Sequence, residues 1–426
     1  MTTIRRLPIL AVALLAMAAP LDAQTVAFVG ATIWDGTGAA VKRGATMVVE
    51  DGRITAVGTA AQIPAGAQIV FLENQFIIPG LINTHGHVSG TWAPDDVTDE
   101  GDRIRADLQL FANYGVTTVN SLGDGVAVLD VRKAAGPRDP RARLFAAGAV
   151  IADNTAAAAR ASATANADAG ADWLKLRVDD NLGSGQKMPW DAVQAVLDVG
   201  EERGLPVATH MFYLEDAKRL LEMGTGLIAH SVRDQDVDEE FIEQLTESGV
   251  CYVPTLTREV STYIYGTRPG FFDDDFFLDF ADESEMARVS EPAYMEQIQQ
   301  SSSAAEYRVA LVQAMHNVKT LVDAGVPVTF GTDAGPAGRF PGYFEHMELA
   351  LMVGAGLTPE QALLSATSVA ASCLGLDDRG TLEPGKWADF LVLNEDATRD
   401  ITFTQDLQGV YIAGQQVRAE VEDSGN

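Results

Sequence analysis

Four of the six histidines in this 426-residue chain stand where a metal ion would need them. His85 and His87 are two apart in the stretch 79–87, Pro-Gly-Leu-Ile-Asn-Thr-His-Gly-His, directly after an apolar run. Alternate residues of a strand share a face, so a strand here aims both imidazoles the same way. Two neutral imidazoles from one strand end supply half of a metal site. Gly86 between them leaves room for an ion or a substrate beside the backbone. On its own, His-x-His reads more simply as two polar residues in a loop. But His210 and His230 each end a further apolar run, and Asp333 follows another in Gly331-Thr332-Asp333-Ala334-Gly335. One histidine at such a place is ordinarily a hydrogen-bonded core residue. Four of them, with an aspartate, resist a packing explanation.

Lys175 ends another apolar stretch, Gly170-Ala171-Asp172-Trp173-Leu174-Lys175. A buried, unpaired ammonium is costly, so it must be paired, neutralised or modified. One reading is a salt bridge to Asp179 or Asp180, or a side chain that snorkels to solvent. The other is a lysine carbamylated on its side-chain nitrogen, which becomes a carboxylate able to bridge two ions. Other candidates carry less. Ser89, Arg177 and Arg258 sit just beyond strand ends, and Arg258 suits a bidentate grip on a substrate carboxylate. Glu345 and His346 lie in a loop-to-helix segment after Asp333, where they either touch substrate or support the site from behind. His316, between Met315 and Asn317, reads as a helix-surface residue.

Elements that position such residues are legible as a rhythm. Between 79 and 376, short apolar runs occur at 116–119, 144–150, 173–178, 207–210, 227–230, 251–256 and 326–331, and the run before His85 makes eight. Helix-like segments lie between most of them: 102–114, 126–135, 155–169, 190–203, 214–223, 237–248 and 304–324. Two more follow at 342–355 and 359–374, the second opened by Thr358-Pro359-Glu360. Eight alternations predict an α/β fold, a (β/α)8 TIM barrel. In such a barrel the strand ends form the catalytic face, which is where His85, His87, Lys175, His210, His230 and Asp333 fall. An open doubly wound sheet is the alternative, but no Gly-x-Gly-x-x-Gly follows the first strand. The stretch 258–300 breaks the rhythm and carries five phenylalanines; it reads as a lid, a dimer contact or a packed surface loop.

Residues 24–78 read as short strands, with a hairpin signal at Asp51-Gly52, and the tail 377–426 has the same character. Together they predict one small β-sandwich built from both termini. Residues 1–23 have the form of a secretory signal peptide: Arg5 and Arg6, an apolar core over 9–19, Pro20, and a small residue at Ala23. That predicts a periplasmic or secreted protein. No later run is long enough to insert stably in a membrane. The net charge of −30 argues against nucleic acid and anionic membranes as partners. Cys251 and Cys373 are far apart in apolar contexts, which favours two buried free thiols over a disulfide. Nothing bears on a homo-oligomer, which stays open.

Taken together, the chain resembles the amidohydrolase superfamily, in its imidazolonepropionase-like and prolidase-like branch of metal-dependent hydrolases. The resemblance rests on 79–87, on Gly115-Val116-Thr117-Thr118-Val119, on Gly331 to Gly335, and on Asp378-Arg379-Gly380-Thr381-Leu382-Glu383-Pro384-Gly385-Lys386-Trp387-Ala388-Asp389. It implies two divalent ions, zinc by family precedent. His85 and His87 would hold the first with Asp333, His210 and His230 the second, and carbamylated Lys175 would bridge them. It further implies attack on a carbonyl carbon by a bridging hydroxide, with Asp333 as general base and then acid. Two positions depart from the pattern. Relatives often have a histidine or tyrosine where this chain has Phe212, leaving Tyr213 as the neighbouring candidate to hold substrate. The aspartate before the first histidine motif is Asn83 here. The expected activity is hydrolysis of an amide in a small-molecule, peptide-like or N-acylated substrate, as in prolidases and dipeptidases. The alternatives are a mononuclear cyclic-amide hydrolase or deaminase, in which Lys175 is only structural, and a catalytically inactive binding protein.

Overall fold

The computed structural model describes residues 25–418, so the segment read as a signal peptide lies outside the described residues. Five strands come first: β1 (Thr25–Ile33), β2 (Lys42–Glu50), β3 (Arg53–Gly58), β4 (Gln68–Phe71) and β5 (Phe76–Pro79). They share one eight-stranded sheet with the last three, β13 (Phe390–Leu393), β14 (Leu407–Ile412) and β15 (Gln415–Gln416), in the order β15-β14-β13-β5-β1-β2-β3, with β4 beside β1. The two ends of the chain are therefore joined by a ladder. Phe390 pairs with Pro79 and Leu393 with Phe76. Aromatic packing reinforces the junction: Phe28 meets Phe390 edge-on at 4.9 Å, and Phe390 stacks on Tyr411 at 4.5 Å.

The apolar run before His85 is two strands. β5 ends at Pro79, and β6 (Leu81–Gly86) enters a second, parallel sheet. Gly80 makes the hand-off, because a Cβ there would lie 2.2 Å from Thr117 Oγ1, well inside contact distance. β6 is followed by α1 (Glu100–Asn113), β7 (Val116–Ser121), α2 (Val126–Ala134), β8 (Arg143–Ala146), α3 (Ala156–Asp168), β9 (Leu174–Arg177), α4 (Trp190–Arg203), β10 (Val207–His210), α5 (Leu214–Glu222), β11 (Leu227–Ala229), α6 (Glu239–Ser248) and β12 (Cys251–Val253). Three of these helices start where a short polar side chain takes up a free N–H group. Asp99 caps α1, Thr155 caps α3 and Asp238 caps α6.

The parallel strands fall into two sets, β6-β7-β8 and β9-β10-β11-β12. Backbone bonds cross both gaps. Ile151, just past β8, accepts from Arg177 N and donates to Lys175 O. The segment 326–330 has one ladder partner on each flank: Tyr252 N donates to Pro327 O, and Thr84 N donates to Phe330 O. The fold is TIM-barrel-like α/β, with its strands and helix faces packed into a large apolar core.

After β12 come four short helices, α7 (Leu256–Ser261), α8 (Asp275–Leu278), α9 (Glu283–Val289) and α10 (Pro292–Gln300), then α11 (Ser302–Asp323) and α12 (Tyr343–Gly354). The phenylalanines of the 258–300 insertion pack inward. Phe271 stacks on Tyr343 at 5.1 Å and Phe277 meets Phe340 at 5.0 Å. Tyr114 Oη donates to Phe277 O at 2.7 Å. The insertion is therefore packed against the rest of the protein.

Two expectations are corrected here. The single helix expected over 359–374 is α13 (Pro359–Ser365) and α14 (Ser368–Cys373). It breaks because its carbonyls are taken by the barrel: Ser365 O accepts from Phe330 N, and Ala366 O from Ile82 N. And Cys251 and Cys373 are not free thiols. They form a disulfide with Cα atoms 5.9 Å apart, tying β12 to the end of α14. Their 122-residue separation hid the proximity, because α14 folds back under the barrel strands.

Candidate metal centre

The strand ends bring the histidines together. The rings of His85 and His230 have centroids 4.7 Å apart, those of His210 and His230 4.2 Å, and those of His85 and His87 5.8 Å. Asp333 closes the group. Its Oδ1 lies 2.8 Å from His87 Nε2 and 3.3 Å from His85 Nε2. His85, His230 and Asp333 offer ligand atoms all within 4.8 Å of one another, and all three are buried.

Local backbone puts them there. His87 N donates to Ala334 O, and Asp333 N to His85 O, so the first and last strand ends grip each other. Gly335 is required beside them, since a Cβ would lie 2.3 Å from His87 O. His230 and Asp333 both adopt left-handed backbone, with φ of 73° and 58°. Non-glycine residues rarely sit there, and such strain collects at functional sites.

Three of the four imidazoles are oriented from behind, His85 being the exception. His87 Nδ1 lies 3.3 Å from Asp124 Oδ1, and Asp124 Oδ2 accepts from Val88 N. His230 Nδ1 lies 2.7 Å from Thr255 Oγ1. His210 Nε2 lies 2.8 Å from Asp179 Oδ2. These contacts leave one nitrogen of each of these three rings for the centre, as metal-binding imidazoles require. On Asp333, Arg339 pairs with Oδ2 and leaves Oδ1 toward the histidines. Asn83 donates to Thr332 Oγ1 and Glu345 Oε1, a buried network beneath the first strand end.

Electrostatics separates the groups. Burial drives His85 and His210 down to about 3, with Lys175 adding to the effect on both. Burial, with His210 and His85 beside it, drives His230 well below its ordinary value. Three imidazoles are thus neutral at pH 7, the form that binds metal. For His87, burial opposes charge, but Asp124 and Asp333 on its two sides win and raise it to about 9. The same pair of carboxylates that favours a proton there favours a metal cation. Asp333 stays ionised despite burial, chiefly because of Arg339 and then the two histidines.

Lys175 has neither expected salt bridge. Asp179 is engaged by His210 and Asp180 by Tyr213. Lys175 is 2% exposed and its Nζ has no hydrogen-bond partner. Burial lowers it to about 7. His85 Nδ1 is also buried without a partner. Polar atoms left so are expensive unless something else satisfies them, and a carbamylated lysine with bound divalent ions fits both the orphaned atoms and the imidazole and carboxylate donor set.

Among the residues expected to contact substrate, Tyr213 caps α5, and its hydroxyl donates to Asp180 Oδ1 at 2.9 Å. Arg258 is nearly buried; it pairs with Glu259 at 3.0 Å and lies 4.4 Å over the Tyr307 ring. Its charge is felt at His210. His346 is corrected. It is buried, with Nδ1 2.9 Å from Thr404 Oγ1 and Nε2 2.7 Å from Tyr114 O, so neither nitrogen is left for a substrate. His316 is at the surface, 3.7 Å from Asp236. Asp124, Thr255, Arg233 and Arg339 were missed. They lie in loops whose place depends on the fold, and only their nearness to strand ends hinted at them.

Comparison with known proteins agrees with this geometry. The family model "Amidohydrolase family" matches residues 76–417. The imidazolonepropionase of Deinococcus deserti is 26% identical over 88% of this chain and 92% of its own length. The 5-methylthioadenosine/S-adenosylhomocysteine deaminase of Natronomonas pharaonis is 26% identical over 82% of this chain and 79% of its own. Among solved structures, a Bifidobacterium longum protein put forward as a prolidase superposes with a TM-score of 0.75 at 25% identity, covering 93% of this chain and 95% of that one. A family match spanning most of the chain, over a buried cluster of imidazoles and one carboxylate at barrel strand ends, has one meaning: the chain belongs to the amidohydrolase family, metal-dependent hydrolases that act on carbon–nitrogen bonds.

Proposed function

We propose that this chain is an exported, dinuclear amidohydrolase that cleaves the amide of a small peptide-like or N-acylated compound. The observation that carries the reading is Lys175. Its nitrogen is buried, unpartnered and lowered by burial to about 7, beside His85, His210 and His230. The free base of an amine near neutrality adds to the carbon of carbon dioxide and loses a proton to solvent, and the resulting carbamate has two oxygens able to bridge two ions. His85, His87 and Asp333 would hold one ion, His210 and His230 the other, zinc by family precedent. When bound, such ions lower the pKa of water and polarise a carbonyl.

The chain's own residues supply the rest. Asp333 takes a proton from the attacking water on Oδ1 and delivers it to the leaving nitrogen, while Arg339 holds Oδ2. Phe212 and Tyr307 pack against each other next to this side of the site, with ring centroids 6.3 Å apart. Arg258 and Arg233 share the single carboxylate of Glu259, and Arg233 Nη2 is buried without a partner. The surplus positive charge favours a substrate that carries a carboxylate. Tyr213 stands next to this group and would contact the same end.

The architecture we infer is a closed eight-membered barrel over 79–376 and a β-sandwich from 24–78 and 377–426. The disulfide supports export, since such bonds persist in oxidising compartments. It agrees with a signal peptide over 1–23.

A second reading is a mononuclear cyclic-amide hydrolase, favoured by the likeness to imidazolonepropionase over most of that protein's length. One experiment separates them. Metal-loaded protein is assayed on N-acyl amino acids, Xaa-Pro dipeptides and cyclic amides, and its metal content is measured. The first reading expects about two ions per chain and turnover of open amides. About one ion, with turnover of cyclic amides alone, replaces it by the second; no turnover on any of them leaves a binding protein.

A further inference from the structure

The catalytic face is not the only built concavity. A cavity of about 370 Å³ lies where α1, α2 and the start of β8 meet the terminal sheet. It is at the strand starts, the opposite end of the barrel from the metal centre. In a chain of net charge −30, six arginines line it: Arg53, Arg105, Arg132, Arg141, Arg143 and Arg379.

Their charges do not cancel. Arg105 pairs with Asp102, Arg132 with Asp172, Arg141 with Asp139 and Arg143 with Asp389. Asp378 serves both Arg53, at 3.7 Å, and Arg379, at 2.9 Å. One guanidinium more than the carboxylates is left at the cavity. Arg379 is nine-tenths buried in the wall: its Nη1 is covered and has no hydrogen-bond partner, and its guanidinium carbon lies 5.7 Å from the Phe145 ring centre. Buried guanidinium donors are ordinarily satisfied, and the fork geometry of arginine matches carboxylate and phosphate oxygens.

The remaining walls are apolar. Leu108, Val131, Ala142 and Leu144 line one side. Trp387 is held between Arg53 and Arg143, whose guanidinium carbons lie 4.1 and 4.6 Å from its ring centre. Arg143 gives Nε and Nη2 to Asp389 and Nη1 to Pro137 O, and Arg53 gives Nη1 to Gly385 O, so these two arginines build the wall and contribute charge rather than free donors.

We propose that this cavity is a binding site for a small organic anion, with an oxyanion head gripped by Arg379 and its neighbours and an apolar body against the Leu108–Leu144 wall. The head is a carboxylate or a phosphate, since both present the same oxygen geometry to a guanidinium. The site is independent of the reading of the metal centre.

Isothermal titration of the metal-loaded full chain with phenyl phosphate, benzoate and inorganic phosphate tests this. At least one organic anion is expected to bind one-to-one with a Kd below about 1 mM, and inorganic phosphate about tenfold more weakly or worse. Arg379→Gln should weaken binding about tenfold, and the half-buried Arg105→Gln about threefold. Metal content should stay at the wild-type value in both variants. Asp333→Asn, at the other end of the barrel, should leave the Kd unchanged. If Arg379→Gln does not fold, Arg105→Gln decides alone. The proposal is overturned if neither organic anion binds below about 1 mM. It is equally overturned if affinity survives the arginine substitutions, if it is lost in Asp333→Asn, or if inorganic phosphate binds as tightly as phenyl phosphate.

Discussion

Nε2 of His87 lies 2.8 Å from Oδ1 of Asp333, although 246 positions separate the two residues. The contact joins the first and last strand ends of the barrel. It also puts the carboxylate between two imidazoles on one side and Arg339 on the other. A group held in that way can move a proton only through the oxygen facing the histidines. Asp333→Asn keeps the shape and removes the basicity. We expect kcat to fall about a thousandfold, with the melting temperature changed by no more than about 4 °C. Steady-state kinetics beside a thermal melt checks both, and near-normal turnover would remove the proton-transfer role.

Lys175 gives a stability prediction that needs no substrate. Burial lowers its pKa to about 7 from 10.5. Between those values the unfolded chain binds the proton and the folded chain does not, so stability should rise with pH across that window. Urea unfolding of the chelator-treated protein from pH 7 to pH 10.5 reads this directly. Lys175→Met should flatten the rise and stabilise the chelated protein at neutral pH by about 1–3 kcal/mol. Reloaded with metal, the variant should hold about one ion fewer per chain. Unchanged metal content with unchanged activity would make the lysine purely structural.

Cys251 and Cys373 close a long loop between a barrel strand and the last barrel helix. Cross-links of this kind restrict the unfolded chain. Reduction, or the double substitution Cys251→Ser with Cys373→Ser, should therefore cost about 2–4 kcal/mol of stability. The melt of the double variant should be indifferent to reductant. A wild-type melt that is equally indifferent would show that the bond does not form.

His346 should behave as a buried neutral group. Burial lowers it to about 4 from 6.5. As pH falls through 6.5 the unfolded chain gains a proton that the folded chain refuses, so His346 withdraws stability between about pH 6.5 and pH 4. His346→Gln keeps polar contacts but does not titrate. The stability gap between wild type and this variant should narrow as pH drops across that window. A gap that stays constant would mean that the imidazole is already charged inside the protein.

Much of the fold was readable because barrels write their strands and helices as a plain alternation. The segments expected at 190–203 and 126–135 appear as Trp190–Arg203 and Val126–Ala134. Thr358 and Pro359 open their helix as their types require. What local pattern could not resolve was one long apolar run serving two sheets. Hydrophobicity is the same on both sides of Gly80, and only the crowding by Thr117 shows why the chain turns there.

By itself, the sequence determined which side chains could meet a metal, since strand ends fall at fixed places in an alternating chain and imidazoles at those ends share one face. Tertiary structure alone decided their partners. Asp124 behind His87, Thr255 behind His230, Asp179 on His210 and Arg339 on Asp333 all come from segments that follow strands, where no periodicity constrains direction. Contacts between residues distant in the chain depend on how loops close over the barrel, so the disulfide, the solitary Lys175 nitrogen and the arginine-lined cavity became legible only once the chain was folded.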